Sequence, residues 1–168
     1  MSSGWRDLPD RQRTLRATIE WSHRLLGSAE AEAFGRFGVF AGGATIEAAE
    51  EVTGADLDTL SGLVDKHLLL RVRGPGGDSR LLMLETVREY ASERLKARED
   101  AVEVHRRHCR HYHALAERVE PELFTRGEAE WLPRLDVEVD NLRGALDWSL
   151  LHDPIEALDL VGSLTTFW

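Results

Sequence analysis

The chain has only one cysteine, Cys109, among its 168 residues. A single thiol excludes an internal disulfide framework and is typical of proteins from a reducing compartment. The chain has no apolar stretch of the roughly 18 residues that a membrane span needs. Its first residues, Met1 to Trp5, also lack the basic segment and apolar run of a secretory leader. These absences predict a cytoplasmic protein with no membrane partner.

Basic residues are scarce, above all in the second half of the chain. The formal net charge is −9, and residues 97–168 carry fifteen acidic side chains against eight basic ones. Binding to a phosphate backbone depends on clustered Lys and Arg, so DNA is an unexpected main partner and a protein is the better one.

The sequence from Leu63 to Ala91 has the order helix, strand, tight turn, strand and helix, which is the plan of a winged helix. Leu70 and Val72 alternate with arginines as in a half-buried strand, and the turn is exposed at residues 74–79. A winged helix usually reads nucleic acid. The helix that should do so here carries three acids and one base, Asp56, Asp58, Asp65 and Lys66.

Hydrophobic spacing predicts four short helices before the hairpin and one after it. Their expected N-caps are Thr14, Ser28, Thr45 and Asp56. The fourth helix has the apolar stripe Leu57, Leu60, Val64, His67 and Leu68, and the fifth has Val87, Tyr90, Ala91 and Leu95.

Three longer helical patterns follow residue 98, with Pro121, Pro133 and Pro154 at or near their boundaries. The first pattern has the apolar stripe Ala101, Val104, His108, Tyr112, Leu115 and Val119. The second runs from Leu132 to Leu146, and the third begins with Ile155, Leu158 and Val161. The prediction is a mainly α chain: an extension or linker over 1–10, a winged helix over 11–97 and tetratricopeptide-like helical hairpins over 98–168. The last residues are apolar and uncapped, which predicts a fragment truncated at its C-terminus.

Four segments carry a family resemblance, and they are residues 11–22, 37–45 (Phe-Gly-Val-Phe-Ala-Gly-Gly-Ala-Thr), 81–91 and 140–146 (Asp-Asn-Leu-Arg-Gly-Ala-Leu). In this order they resemble the bacterial STAND-class regulators, signal-transduction ATPases of the multidomain LuxR and antibiotic-regulatory types. The resemblance covers about residues 9 to 168. It implies an NB-ARC-like ATPase domain that binds ATP or ADP, followed by a winged helix and a helical sensor, often with a DNA-binding domain at one end.

The ATPase domain itself is missing here, because no Gly-x-x-x-x-Gly-Lys-Ser/Thr loop occurs to cradle a phosphate. The resemblance also aligns a nucleotide-sensing Met-His-Asp motif with Met83, Leu84 and Glu85. Leu84 cannot donate a hydrogen bond to ADP, so this chain is expected to hold no cofactor. Glu85 either locks the winged helix against the ATPase domain or is simply an acid favoured at a helix N-terminus.

Other candidate sites have plainer explanations. His105, Cys109 and His113 are spaced for pairwise metal chelation, but arginines in the same run oppose a cation, and a buried cysteine is the simpler reading. The carboxylates Asp136, Glu138 and Asp140 are spaced as a solvated acidic face rather than an acid/base pair. The tryptophans Trp131, Trp148 and Trp168 fit helix packing better than ligand stacking.

Four arginines, Arg71, Arg73, Arg80 and Arg88, are possible interface or phosphate contacts. The first three form an expected basic patch on the wing, which either touches phosphate or protects an edge strand.

The preferred hypothesis is a regulatory fragment without catalytic or metal sites. It relays the nucleotide state of the missing ATPase domain to the helical sensor through protein contacts, and a protein or small-molecule effector binds that sensor. The alternative is a winged-helix DNA-binding regulator with a helical dimerisation tail. A third class is a metal or redox sensor built on Cys109.

Overall fold

The computed structural model describes residues 10–125, 127–163 and 165, with side chains from Thr14 onward. The predicted extension over 1–10 lies outside these residues except for Asp10, and so does Trp168. None of the helices described is both long and apolar enough to cross a membrane.

The first half combines short helices with a small sheet, as the sequence predicts. The helices are α1 (Asp10–Arg24), α2 (Ser28–Phe37), α3 (Ile46–Thr53), α4 (Leu57–Asp65) and α5 (Glu85–Lys96), and the strands are β1 (Ala44–Thr45), β2 (Leu70–Arg73) and β3 (Ser79–Leu82). The strands are antiparallel in the order β1-β3-β2, so β3 is central and β2–β3 forms the wing. We call the part from α2 to α5 the winged-helix unit.

Among its described residues, the second half contains helices joined by short loops and no strand. It contains α6 (Ala101–Val119), a 3₁₀ helix (Glu120–Phe124), α7 (Glu128–Asp136), α8 (Val139–His152) and α9 (Pro154–Ser163). Helix α6 packs against α8 and α9 and also against α3. We call α6 to α9 the helical region. The prediction of a mainly α fold with a short β wing is therefore confirmed.

Local capping chemistry explains where two of the helices begin. The Thr45 side chain accepts a hydrogen bond from Ala48 N at 3.1 Å, and Asp56 Oδ1 accepts one from Thr59 N at 2.9 Å. These two predicted N-caps are confirmed.

The other two predicted caps are wrong. Helix α1 begins at Asp10, so Thr14 lies in its interior, because the preceding Arg and Gln residues are good helix formers. Helix α2 begins at Ser28 itself, and its N-cap is Gly27, whose N–H donates to Glu30 Oε2 at 3.0 Å.

A continuous apolar core joins the two halves. The aromatic rings of Phe34, Phe37 and Phe40 are fully buried together with Leu60 and Tyr112. The predicted apolar stripe of α4 is confirmed only in part: Leu60 and Leu68 are buried, but Leu57 is exposed. His67 is exposed as well, because α4 ends at Asp65 and His67 adopts a left-handed φ of 57° beyond it.

Two predictions for the helical region are corrected. The single pattern from Leu132 to Leu146 is two helices, α7 and α8, and Pro133 lies inside α7 rather than at its boundary. In α9 the predicted stripe of Ile155, Leu158 and Val161 is exposed. The side of α9 that packs inward instead carries Ala157 and Leu160.

Candidate functional site

A buried polar network joins the wing to the helical region. Arg80 on β3 forms an ion pair with Glu138, and their side chains are only 5% and 6% exposed. Glu138 also accepts hydrogen bonds from Tyr112 Oη at 2.9 Å and from Asn141 Nδ2 at 2.8 Å. A buried charge is tolerated when it is paired and its remaining polar atoms are bonded, and this carboxylate meets both conditions. We call these four residues the junction network.

Asn141 continues the network into the backbone of the winged-helix unit. Its Oδ1 accepts from Ala41 N at 2.9 Å, and its Nδ2 donates to Gly43 O at 2.8 Å. Arg80 donates to Gly42 O at 3.3 Å. Two segments that carry the family resemblance, residues 37–45 and 140–146, therefore meet across this contact.

Gly43 is required where these segments meet. Its φ is +74°, a left-handed conformation that side chains rarely adopt. A Cβ at this position would lie 2.2 Å from Leu82 Cδ2 and 2.5 Å from Leu81 O. The backbone therefore approaches β3 more closely than any other residue type allows.

The network changes the titration of its members. Burial lowers the pKa of Arg80, but its hydrogen bond to Glu138 and the charge of that carboxylate outweigh burial, and the pKa is raised overall. Burial first, and then the negative charge of Glu138, raises the pKa of Tyr112 well above its ordinary range. Tyr112 is therefore a neutral donor and Arg80 a permanent cation at any physiological pH.

Aromatic packing surrounds the network. The ring of Phe40 lies 5.4 Å from the ring of His108 and 6.5 Å from that of Tyr112, measured between centroids. His108 is 2% exposed, and burial lowers its pKa from 6.5 to about 3. The imidazole is thus a neutral core side chain, as its place in the predicted apolar stripe indicates.

Polar side-chain contacts nearer the surface also join the same two parts. Arg36 on α2 donates to Asp100 Oδ2 from Nη2 at 2.7 Å, just before α6. Arg98 and Arg36 hold the pKa of Asp100 far below its usual value, Arg98 by the larger effect. His111 Nδ1 on α6 lies 2.5 Å from Glu51 Oε2 on α3. The winged-helix unit is therefore held to α6 at several separate points.

The four arginines predicted as contacts lie in different surroundings. Arg71 and Arg73 are exposed on β2, where Arg71 Nη2 donates to Ser79 Oγ at 2.9 Å. Arg80 is buried and so does not belong to an exposed patch on the wing, because β3 is the central strand and turns it toward α8. Arg88 is partly buried and bonds Glu85 Oε1 at 2.5 Å.

The positions aligned with the nucleotide-sensing motif lie at the start of α5. Met83 is partly buried against the core, while Leu84 is 57% exposed and occupies the N-cap position without a capping side chain. Glu85 is exposed in the first turn and pairs with Arg88, which lowers the pKa of its carboxyl. This is the arrangement of a helix N-terminal acid.

The outer face of α4 is acidic. Asp56, Asp58 and Asp65 are all exposed, and the ammonium of Lys66 lies 2.5 Å from Glu30 Oε1. The helix that corresponds to the DNA-reading helix of a winged helix therefore presents carboxylates, and its one base is already paired.

The His/Cys run on α6 is dispersed over the helix. Cys109 is buried and donates weakly to Ala145 O at 3.4 Å, and burial raises its pKa to about 11. The His105 ring is parallel to the ring of Trp148, 6.2 Å between centroids. Across the described part of the chain, no three His, Cys, Asp or Glu side chains converge as metal ligands.

The acidic face predicted over residues 136–140 is wrong for one of its members. Asp136 and Asp140 are exposed, but Glu138 is buried in the junction network. The turn between α7 and α8 brings Glu138 to β3, whereas a continuous helix was expected there. Of the tryptophans, Trp131 and Trp148 are partly buried against the core, which agrees with a packing role.

Sequence reasoning missed Tyr112 and Asn141 as members of this site. Tyr112 was placed only in an apolar stripe. Asn141 was noted only within the family resemblance, although a polar amide beside apolar helix positions is the signal that a buried hydrogen-bond partner is needed.

The chain is similar to parts of longer bacterial proteins. It is 39% identical over 176 aligned residues to a protein of Mycobacterium bovis and to one of Mycobacterium tuberculosis, each named "Putative HTH-type transcriptional regulator". A protein of M. tuberculosis named "Uncharacterized protein" is 34% identical over 108 residues, which are 60% of this chain and 27% of that protein.

No protein-family model and no solved structure matches the chain. The alignment with the two named regulators covers 100% of this chain but only 20% of the length of each regulator. The chain therefore spans about one fifth of each of these two curated relatives, and over its whole length it is similar to a part of a protein named as a transcriptional regulator.

Proposed function

We propose that the chain is a non-catalytic part of a larger transcription regulator, in which the winged-helix unit and the helical region act as one body through protein contacts. The similarity to HTH-type regulators supports the regulatory role. The observation that carries the mechanism is the junction network. Its buried ion pair and the hydrogen bonds of Asn141 to Ala41 N and Gly43 O cross between the two parts and oppose their independent motion.

The acidic face of α4 supports a protein rather than DNA as the direct contact. Carboxylates next to a phosphate backbone are repelled, and Asp56, Asp58 and Asp65 have no unpaired base beside them on α4 that would offset them. The same carboxylates can pair with arginines or lysines of a neighbouring domain. We infer that α4 faces protein.

A finer version of this proposal follows the STAND resemblance. A nucleotide-binding domain would dock against the predicted winged-helix domain, residues 11–97, and its ATP or ADP state would reach the predicted tetratricopeptide-like domain, residues 98–168. An effector, either a protein or a small molecule, would bind that region. Such a relay requires two docked arrangements whose balance the effector shifts.

Carboxylate footprinting of the full-length regulator tests the proposed contact of α4. A water-soluble carbodiimide with a neutral amine would label Asp58 and Asp65 rapidly in the 168-residue chain, where both are exposed. We expect much slower labelling in the full-length protein. Asp147, exposed on α8, serves as the internal reference. Equal labelling of Asp58 and Asp65 in the two proteins would show that α4 has no protein partner.

Direct DNA binding is the second candidate, and two observations favour it. Arg71 and Arg73 are exposed on the wing, and the relatives are named as HTH-type regulators. The name supports DNA binding by the whole regulator better than it supports a nucleotide relay. In this version the wing would contact phosphates while α4 remains outside the groove.

A further inference from the structure

A cleft of about 240 Å³ lies between the wing and the helical region. The wing contributes Pro75 and Asp78 to its wall, next to Thr45 at the end of β1 and Glu47 on α3. The opposite wall belongs to α6 and α7. Because elements of both the winged-helix unit and the helical region line it, a molecule bound in the cleft would touch both parts of the chain at once.

The α6–α7 wall is apolar at its base. It is built from Leu115, Trp131 and Leu135, of which Leu135 is fully buried and the other two are packed against the core. Binding sites for small molecules are typically lined by such side chains, with a few polar groups that fix the orientation of the ligand. The indole of Trp131 offers a flat surface for an aromatic ring.

Two guanidinium groups lie beside the same indole. The Arg134 guanidinium carbon is 5.1 Å from the Trp131 ring centroid, and that of Arg118 is 6.0 Å away. Arginine presents several donors in a fixed plane, which suits bidentate binding of a carboxylate. An anion at this end of the cleft would meet both cations.

Arg134 is held in place by its surroundings. Its Nη2 lies 3.0 Å from Glu130 Oε1, and the wing turn closes over it, since a Cβ on Gly76 would be 2.6 Å from the same nitrogen. Among the described residues, its buried Nε has no hydrogen-bond partner. The side chain is therefore pre-organised and keeps a donor unsatisfied.

Arg118 has free donors. Within the part of the chain that the structure describes, no carboxylate lies within ion-pair distance of its guanidinium, which is exposed at the mouth of the cleft. Glu47 and Asp78 line the opposite, wing-side wall. A ligand with a carboxylate toward α6–α7 and a hydrogen-bond donor toward the wing matches this distribution of charge.

We propose that this cleft binds a small aromatic carboxylate, with its ring against Trp131, its carboxylate on Arg118 and Arg134, and a donor group facing Glu47 and Asp78. Glu138 and Arg80 also line the cleft, so the ligand would lie against the junction network. Such a ligand would fit the cleft whether the regulator contacts protein or DNA.

Calorimetric titration of the 168-residue chain with para-hydroxybenzoate tests the proposal, with para-hydroxybenzamide as the neutral probe of the same shape. We expect saturable binding of the carboxylate and affinity lower by roughly tenfold or more for the amide. Arg118→Gln and Arg134→Gln should each weaken carboxylate binding by a similar factor. Arg143→Gln, an exposed arginine on α8 outside the cleft, should leave it unchanged.

The variants separate binding from folding. Arg118 is exposed, so Arg118→Gln should keep the thermal midpoint of the wild type, even if Arg134→Gln disturbs the wing turn. Absence of saturable binding overturns the proposal. Equal affinity for acid and amide also overturns it, and so does wild-type affinity in a folded Arg118→Gln chain.

Discussion

Glutamine in place of Glu138 should lower the free energy of unfolding by about 3–5 kcal/mol. The carboxylate faces three donors, on Arg80, Tyr112 and Asn141. An amide of the same shape has one oxygen in place of two, so at least one donor would face an NH₂ group. It also leaves Arg80, whose side chain is only 5% exposed, as a buried cation without its partner carboxylate. Breaking a buried pair from one side carries this cost because desolvation of the remaining ion is no longer offset.

Urea unfolding of the 168-residue chain measures this loss, and a double-mutant cycle assigns it to the pair. Arg80→Met with Glu138→Met should be less destabilised than the sum of the two single Met variants, by about 2 kcal/mol or more, because the double variant buries no unpaired charge. Asp140→Asn, an exposed acid two residues away, should change stability by less than about 0.5 kcal/mol. A loss below about 1 kcal/mol for Glu138→Gln, or additive Met variants, would refute the reasoning.

Three further predictions concern the same core. His108 has a pKa of about 3 in the folded chain against 6.5 ordinarily, so acidification favours the unfolded state. His108 alone should lower stability to urea by roughly 2 kcal/mol between about pH 7.5 and about pH 5, and His108→Leu should remove that part of the slope; an equal slope in both chains would contradict this. Gly43→Ala should destabilise more than Gly77→Ala, because both glycines have a left-handed φ but only Gly43 lacks room for a Cβ. Equal thermal midpoints would show that crowding at Gly43 is unimportant. Cys109, whose pKa is raised to about 11, should react with a thiol reagent only after urea unfolds the chain, and rapid native labelling would place it at the surface.

The winged-helix unit could be predicted from sequence because its signals are local. Thr45 and Asp56 are capping residues followed by apolar spacing, and the Gly/Pro turn follows an alternating strand. Each of these patterns acts over a few residues, so the helix, hairpin and helix needed no information from the rest of the chain. Strand β1 is only two residues long and carries no such pattern.

The junction network depends on contacts between distant residues, and for that reason it was missed. Arg80 looks like a wing arginine unless β1 is known to pair with β3 on its other side. Glu138 looks solvated unless α7 is known to end at Asp136, which turns the carboxylate toward β3. Asn141 bonds residues about a hundred positions away, at Ala41 and Gly43. Periodicity reports which face of an element is apolar, but it does not report which element will cover a polar residue.

Affinity for duplex DNA as a function of salt tests most directly whether α4 and the wing face protein. We expect the 168-residue chain to bind duplex DNA with a dissociation constant no lower than about 10⁻⁴ M near physiological salt. A wing variant with Arg71→Glu and Arg73→Glu should bind as weakly as a control variant with Arg110→Glu and Arg143→Glu on the helical region. If the wing contacts phosphates through Arg71 and Arg73, binding will be much tighter. The slope of log affinity against log salt will then fall in magnitude by about 2 in the wing variant alone. That second result would contradict a protein-facing winged helix.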